Sequence, residues 1–200
     1  VSNVTPASRY FWVDERTQVG TSVGYGRTGT GLTGDTQSAG TKRAGRNTID
    51  VFGAALGGPP NQRYSDNIFF SDFDNPDSTS SNRNWSTSAV PLDMEYLIAP
   101  GDSGGGVFIN RGGQNRVAGI HSFLQFQDGT ANANYGDAMG SIRVSQYNVW
   151  IDDMIARHWN NAAGGSFATA GNWSMGPSGV AGVPTAGDIV GFNLAGSYAV

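Results

Sequence analysis

The sequence predicts a mostly β fold that is closed by one helix near its C-terminal end. Glycine makes up 30 of the 200 residues and aromatic residues make up 11%, a composition typical of short strands joined by frequent turns. Short apolar stretches bounded by turn residues fill most of the chain. Only residues 144–159 show the spacing of an amphipathic helix face. The length suits one domain, or one domain and the start of another.

The predicted strands of the first half end at glycine, proline or aspartate. Residues 18–25 have strand periodicity and run into a Gly-Tyr-Gly turn. Residues 47–56 and 64–73 are rich in apolar and aromatic side chains and predict two further strands. The polar stretch that follows them, up to Ser88, predicts a surface loop.

The second half predicts a hairpin and then the helix. Residues 106–110 and 116–126 alternate as strands, and residues 111–115 between them carry two glycines suited to a tight turn. In residues 144–159 the apolar side chains recur every three or four positions, with Ser145 as a cap at the start. Residues 160–165 are small and polar and are expected to end the helix.

Charge and composition exclude several functions. The net charge is −4, with 12 Lys and Arg residues against 16 Asp and Glu residues, so no basic face is expected for a nucleic-acid backbone. Cysteine is absent, which excludes disulfides and thiolate metal sites. No apolar run approaches the ~20 residues that span a bilayer. The abundance of Asn, Ser, Thr and Gly is common in exported bacterial proteins, and we expect a secreted or cell-surface location.

Residues 101–106, Gly-Asp-Ser-Gly-Gly-Gly, carry the chain's clearest chemical signal. Glycines around one serine describe a turn that exposes a hydroxyl, with peptide N–H groups free to meet a developing oxyanion. Ser103 is therefore the candidate nucleophile. A serine hydroxyl needs an adjacent base, yet the only histidines of the chain, His121 and His158, come after it.

Two nucleophile patterns fit this string. The elbow of the α/β-hydrolases places Gly-x-Ser-x-Gly between a strand and a helix. Here residues 107–109 and the glycine turn after them are strand-like, and the predicted helix comes much later. The flanks therefore disfavour the elbow and favour a serine turn between strands.

The serine turn and three flanking segments resemble, in the same order, the chymotrypsin-like (trypsin-family) serine peptidases. The segments are residues 23–26, Val-Gly-Tyr-Gly; residues 117–123, Val-Ala-Gly-Ile-His-Ser-Phe; and residues 143–151, Arg-Val-Ser-Gln-Tyr-Asn-Val-Trp-Ile. Glu95 before residues 100–103, together with Asp72-Phe73-Asp74, looks most like the bacterial secreted members. The similarity covers roughly residues 1–158. It implies the C-terminal, six-stranded-type β-barrel of a double barrel, followed by the closing helix.

The resemblance also implies the roles of the turn residues. Ser103 is expected to be the nucleophile, and the N–H groups of Gly101 and Ser103 are expected to form the oxyanion hole. Asp102 is expected to give structural support, because the family pairs this position with a buried N-terminal amine or another cation. The implied activity is that of a serine endopeptidase acting on polypeptides.

Three further positions are implied to contact the substrate. Ser122 and Phe123 would offer backbone groups and a wall to an extended peptide. Leu97 would lie near the base of the specificity pocket and favour an apolar or aromatic side chain before the scissile bond. No cofactor and no metal are expected.

In the order of the family, the base and its aspartate precede the serine. Residues 1–6 resemble the segment just after the family's aspartate-bearing strand, so the N-terminal barrel is expected to be missing from this chain and to be its partner. His121 lies on the cleft strand, and His158 is expected to cap the helix. Neither is assigned as the base, and the chain alone is predicted to be inactive. The alternative is a catalytically dead homologue that acts as a binding or surface-adhesion module.

The domain division predicted from composition is residues 1–160, a linker at 161–166, and residues 167–200. Residues 171–193 resemble repeat units of bacterial autotransporter-type surface proteins, which stack as β-solenoids. The C-terminal segment is therefore interpreted as a partial β-repeat. The alternative is a short pair of strands that packs on the barrel.

Two clusters of charged residues are interpreted as parts of solvated loops. Asp72, Asp74 and Asp77 could bind calcium, but the segment lacks a glycine at the bend and a later bidentate glutamate. The second cluster is a small basic group, Lys42, Arg43 and Arg46. Its charges are those expected of a solvated loop.

Overall fold

A computed structural model describes residues 6–57, 59, 63–77, 90–176 and 179–200. The start of the chain that resembles an inter-barrel segment, and the predicted loop that ends at Ser88, lie largely outside these residues. The chain divides into two compact units, Val1–Gln146 and Tyr147–Val200. Among the described residues, none of the helices has the length and apolar character needed to cross a membrane.

The first unit is built from strands, as the alternating pattern predicts. In chain order they are β1 (Val19–Gly24), β2 (Thr28–Thr30), β3 (Gly34–Gln37), β4 (Arg43–Thr48), β5 (Val51–Phe52), β6 (Ile68–Asp72), β7 (Gly106–Arg111), β8 (Gln114–Gln125) and β9 (Ala138–Arg143). A short 3₁₀ turn at Gly53–Leu56 follows β5, so predicted strand 47–56 is divided between β4, β5 and this turn.

Seven of these strands form one curled antiparallel sheet in the order β4-β1-β7-β8-β9-β6-β5. The curl brings β4 and β6 together. A hydrogen bond links them, in which the side-chain amide of Asn47 donates to the carbonyl of Asp72 at 2.6 Å. Strands β2 and β3 form a separate two-stranded ribbon. The mostly β character predicted from composition is confirmed, and the curled sheet has the form of a half-barrel.

The core of the first unit lies inside this curl. Its buried side chains come from strands β6, β7 and β8, from the segment before β1 and from the link between β4 and β5: Tyr10, Ile49, Phe69, Val107, Ile109 and Ala118. Alternation places these residues on the inner face because successive side chains of a strand point to opposite sides. The core thereby supports β7, which follows the serine turn directly.

The β7–β8 hairpin confirms the predicted turn. Gly112 and Gly113 have φ of 62° and 80°, the left-handed values that a two-residue hairpin loop of type I′ requires at both positions. Glycine adopts them without a steric penalty. The hairpin therefore fixes the register of β8 against β7, and β8 carries the predicted cleft residues.

The second unit contains the helix and a small sheet. Helix α1 (Asn148–Ile155) follows a 3₁₀ turn at Val144–Tyr147. Strands β10 (Arg157–Trp159), β11 (Trp173–Met175), β12 (Val180–Ala181) and β13 (Val190–Gly191) form a sheet in the order β12-β11-β10-β13, with a 3₁₀ turn at Ala170–Asn172 before β11.

The predicted helix at residues 144–159 is therefore shorter than its periodicity suggests. Ala156 has an extended backbone, with φ −64° and ψ 150°, and ends α1. Residues 157–159 pair with β11 and β13 instead. His158 thus lies on a strand rather than in the helix, although its Nε2 hydrogen-bonds the Asp153 carbonyl in the last turn of α1 at 2.9 Å.

An aromatic cluster forms the centre of the second unit. Trp159 and Trp173 are buried and meet edge to face with ring centroids 5.1 Å apart. Phe167, Phe192 and Tyr198 surround them. Residues 161–166, predicted as a linker, fall inside this unit, and the N–H of Gly165 donates to the Ala199 carbonyl at 2.9 Å.

Candidate active-site turn

The serine turn lies between the segment ending at Pro100 and the start of β7. Gly101 and Gly104 have φ of 101° and 83°, values that are strained for residues with a Cβ. The local sequence folds this way because glycine stands on both sides of Asp102 and Ser103. Ser103 is exposed, while Asp102 is 4% exposed.

The peptide groups that precede Gly101 and Ser103 are held by their carbonyls. The Pro100 carbonyl accepts from the N–H of Arg27 at 2.9 Å, and the Asp102 carbonyl accepts from the N–H of Gly105 at 2.9 Å. Because both peptides are trans, each N–H points away from its bonded carbonyl. The structure therefore orients the N–H groups of Gly101 and Ser103.

Those two N–H groups are available to a ligand. Within the described ranges, neither the N–H of Gly101 nor that of Ser103 donates to an acceptor. Both residues are exposed. The N–H of Asp102, which lies between them, is in contrast bonded to the Ala99 carbonyl at 3.0 Å. Two oriented free donors beside an exposed hydroxyl can stabilise an anionic oxygen.

Asp102 is the buried anchor of the turn. Its Oδ1 accepts from the N–H of Gly26 at 2.6 Å and its Oδ2 from the N–H of Ala99 at 2.9 Å. The hydroxyl of Tyr96 and this carboxyl group both lie beside Gly24, and burial with the nearby Asp102 charge raises the pKa of Tyr96. Asp102 thus joins the turn to the end of β1 and to the segment before the turn.

Glycines at the end of β1 permit this close approach. A Cβ on Gly24 would lie 1.9 Å from Asp102 Oδ1, and one on Gly26 would lie 2.6 Å from Asp102 Cγ. Real Cβ atoms do not approach other atoms so closely. Glycine at residues 24 and 26 therefore leaves room for the buried carboxyl group of Asp102.

His121 holds the turn through its backbone. Its carbonyl accepts from the N–H of Gly104 at 2.9 Å, and its N–H donates to the Gly105 carbonyl at 2.8 Å. Strand β8 thus anchors the C-terminal side of the turn, as Asp102 anchors the N-terminal side.

The His121 side chain is buried and uncharged at neutral pH. Burial lowers its pKa to about 4, against a smaller opposite effect of the Asp102 charge. Its Nδ1 lies 3.1 Å from Ser141 Oγ, and its Nε2 has no hydrogen-bond partner among the described residues. The hydroxyl of Ser103 also has no described hydrogen-bond partner, so His121 does not act on it in this arrangement.

The predicted cleft residues lie on different elements. Ser122 is exposed, and Phe123 stacks on Tyr64 with ring centroids 5.5 Å apart. Leu97 lines a pocket of about 160 Å³, together with Asp102, Gly24 and residues 26–30. Ser122 and Phe123 both lie on β8.

Sequence reasoning missed Tyr96 and Arg27. The hydroxyl of Tyr96 lies beside Gly24 and the Asp102 carboxyl group, and the N–H of Arg27 holds the peptide before Gly101. Neither residue carries a local signal for this role: a tyrosine in an irregular segment and an arginine after a glycine turn are ordinary surface residues in a sequence.

A group of acids lies beside the segment that leads into the turn. Glu95 accepts from the N–H groups of Asp74 at 3.0 Å and Leu92 at 2.7 Å, yet burial raises its pKa to about 7. Burial, together with the charge of Asp72, raises the pKa of Asp74 to about 6. In the part of the chain that the structure describes, no set of three or more His, Asp or Glu side chains is placed to hold a metal ion.

Comparison with known proteins adds no identification. No protein-family model matches the chain. No curated protein matches it at a significant level.

Proposed function

We propose that this chain carries the nucleophile and oxyanion hole of a secreted serine endopeptidase of the trypsin-like type. The observation that carries the proposal is the pair of oriented, unbonded N–H groups of Gly101 and Ser103 beside the exposed Ser103 hydroxyl. This arrangement is the one that acyl transfer needs, because negative charge develops on the carbonyl oxygen of the substrate.

The reaction would proceed in two steps. Ser103 Oγ attacks the peptide carbonyl and gives its proton to a base, while the carbonyl oxygen becomes an oxyanion bound by the two N–H groups. The base then protonates the leaving amine as the C–N bond breaks, which leaves an acyl-enzyme. Water adds to the acyl carbon and gives a proton to the base; the bond from the acyl carbon to Ser103 Oγ then breaks, the base returns that proton to Oγ, and the acid product leaves.

The base and its orienting aspartate would come from outside the described residues. His121 is buried on β8, and His158 lies in the second unit on β10. We propose that an N-terminal barrel of the same protein supplies both groups. Without the histidine, turnover in a serine peptidase falls about a million-fold, so the 200-residue chain alone is expected to have no useful peptidase activity.

Several further proposals belong to this function. Ser122 and Phe123 would contact an extended polypeptide substrate, and Leu97 would influence the side chain before the scissile bond. The β-rich C-terminal segment would be the start of a surface-protein repeat of the solenoid type. That segment would hold the enzyme at or near the cell surface.

Labelling with a fluorophosphonate tests the proposal. The chain should be compared with a longer protein that includes the upstream coding sequence. We expect stoichiometric modification of Ser103 in the longer protein, its loss in Ser103→Ala, and only background labelling of the 200-residue chain. An unlabelled longer protein would contradict the proposed function, and stoichiometric labelling of the short chain would contradict the missing base.

The second candidate function is a binding module. It is favoured by one observation, that the Ser103 hydroxyl has no described hydrogen-bond partner. In that case the upstream sequence would lack a histidine and an aspartate suited to the triad, and the longer protein would not react with the probe.

A further inference from the structure

The loop that follows β1 holds the serine turn at two points. The N–H of Gly26 donates to Asp102 Oδ1 at 2.6 Å, and the N–H of the next residue, Arg27, donates to the Pro100 carbonyl at 2.9 Å. That carbonyl belongs to the same planar peptide group as the N–H of Gly101. The position of the loop therefore sets the direction of this N–H.

The Arg27 side chain ties the same loop to β3. Its Nε donates to the carbonyl of Asp35 at 3.0 Å and to the Oδ2 of Asp35 at 3.0 Å, and a terminal nitrogen donates to that carbonyl at 2.8 Å. The Arg27 side chain is 47% exposed, whereas the Asp35 side chain is 13% exposed. A planar guanidinium with three hydrogen bonds can take few other orientations, so the pair restricts the backbone of Arg27.

Asp35 is in turn fixed by the segment that leads into β9. Its N–H donates to the Asn132 carbonyl at 2.7 Å. A Cβ on Gly34 would lie 2.3 Å from the same carbonyl oxygen, so the two segments approach more closely than side chains allow. A further bond, from the N–H of Tyr135 to the Gly31 carbonyl at 2.9 Å, joins the β2–β3 ribbon to this segment. The ribbon therefore gives the arginine side chain a fixed anchor.

We infer that the Arg27–Asp35 pair positions the N–H of Gly101, acting through the Pro100 carbonyl, and that Arg27 is a positioning residue for the oxyanion hole. This inference rests on the proposed function where it concerns the reaction of Ser103. The direction of the Gly101 N–H is a property of the fold and does not depend on that function.

The pair is suited to orienting the turn rather than to stabilising the fold. An ion pair with an exposed partner contributes little to the free energy of unfolding, because water competes for the charges and salt screens them. The N–H of Arg27, in contrast, bonds the turn directly at the Pro100 carbonyl. Loss of the guanidinium should therefore disturb the Gly101 N–H while the unfolding transition stays the same.

NMR of the ¹⁵N-labelled 200-residue chain tests the inference without enzymatic activity. The ¹⁵N shift of Gly101 responds to a hydrogen bond on the Pro100 carbonyl, because both atoms belong to one conjugated peptide group. The protection of the Gly26 amide against hydrogen exchange reports its bond to Asp102. We expect Arg27→Ala to change the Gly101 shift and to lower Gly26 protection by about fivefold, near the upper limit for an exposed ion pair.

Arg111→Ala is the matched control. Arg111 is the last residue of β7, pairs with Asp14 at 2.8 Å and has a side chain that is 38% exposed. We expect this variant to leave the Gly101 shift and the Gly26 protection unchanged. Arg27→Lys keeps the charge but loses the planar fork, and it should give intermediate values. Equal values in Arg27→Ala and Arg111→Ala would overturn the inference.

The longer protein, with the upstream sequence, measures the effect on Ser103. We expect Arg27→Ala to slow fluorophosphonate labelling about tenfold, part of the roughly 10²–10³-fold that one oxyanion-hole donor supplies. The final extent of labelling and the urea midpoint should stay the same, and Arg111→Ala should react at the parent rate. An unchanged rate in Arg27→Ala, or a slower rate that comes with a lower urea midpoint, would overturn the positioning role.

Failure of the proposed function would give a different pattern. Ser103 of the longer protein would then react in neither the parent nor the variants, while the Gly101 shift and the Gly26 protection of the 200-residue chain would still follow Arg27. In that case the proposed function fails and the inference about the direction of the Gly101 N–H stands.

Discussion

The serine turn shows how single residues divide their work. Ser103 is exposed and keeps its hydroxyl free, while its neighbour Asp102 is buried and makes the contacts that hold the backbone. Gly101 and Gly104 adopt positive φ on either side. Within this turn the exposed serine is thus held by a buried neighbour and by two glycines.

Gly26→Ala tests the close approach of Asp102 to the end of β1. The new Cβ would lie about 2.6–2.7 Å from the carboxyl atoms of Asp102. We expect a loss of about 2 kcal/mol in the free energy of unfolding, the usual effect of overpacking, measured by urea denaturation. Gly171→Ala is the control, since a Cβ there meets no atom within 4 Å. Equal stability of the two variants would contradict this account of Gly26.

At the scale of elements, a buried ion pair joins the segment before β1 to the end of β9. Arg143 donates to Glu15 at 2.7 Å and to the Asp66 carbonyl at 2.7 Å, and its guanidinium lies 3.6 Å from the centroid of the Phe52 ring. Glu15 also accepts from the Ser145 hydroxyl. Five parts of the first unit therefore meet at this buried ion pair.

Glu15→Gln removes the negative charge and leaves Arg143 buried without its ionic partner. We expect the free energy of unfolding to fall by about 3 kcal/mol, because a broken buried pair leaves an uncompensated charge. Chemical denaturation followed by circular dichroism measures the loss. The control is Asp14→Asn, which breaks an exposed pair with Arg111 and should cost much less. A comparable loss in both variants would disprove the importance of the buried pair.

At the scale of the whole molecule, buried acids make stability depend on pH. Asp74 is 4% exposed, and its Oδ1 has no described hydrogen-bond partner. Its pKa is raised from 3.8 to about 6, so the folded state holds a proton that the unfolded state has already lost. Ionisation of Asp74 in the folded state is therefore unfavourable, and stability falls as the pH rises from about 4 through 6.

Asp74→Asn should remove this dependence, since the amide does not ionise. We expect the variant to exceed the parent chain by about 2 kcal/mol in unfolding free energy at pH 8 and to match it below about pH 4. Urea denaturation at several pH values gives the comparison, with Asp77→Asn, an exposed acid of the same loop, as the control. A gain that is independent of pH would show that ionisation of Asp74 is not the cause.

The sequence by itself determined the local features of this protein. Alternation of apolar residues predicted β1 and the β7–β8 hairpin, and the paired glycines at 112 and 113 marked its turn. The glycines around Ser103 predicted an exposed hydroxyl, which the structure has. These signals succeed because strand periodicity and positive φ act within a few residues.

Only the tertiary structure decided the contacts that join distant segments. Asp102 accepts from the N–H of Gly26, Arg27 orients the peptide before Gly101, and Arg143 meets Glu15 across 128 positions of sequence. Residues 157–159 continue the apolar period of α1, yet they form β10 because pairing with β11 and β13 outweighs local helix preference. Such choices depend on partners that folding brings together, and the spacing of residues along the chain does not encode them.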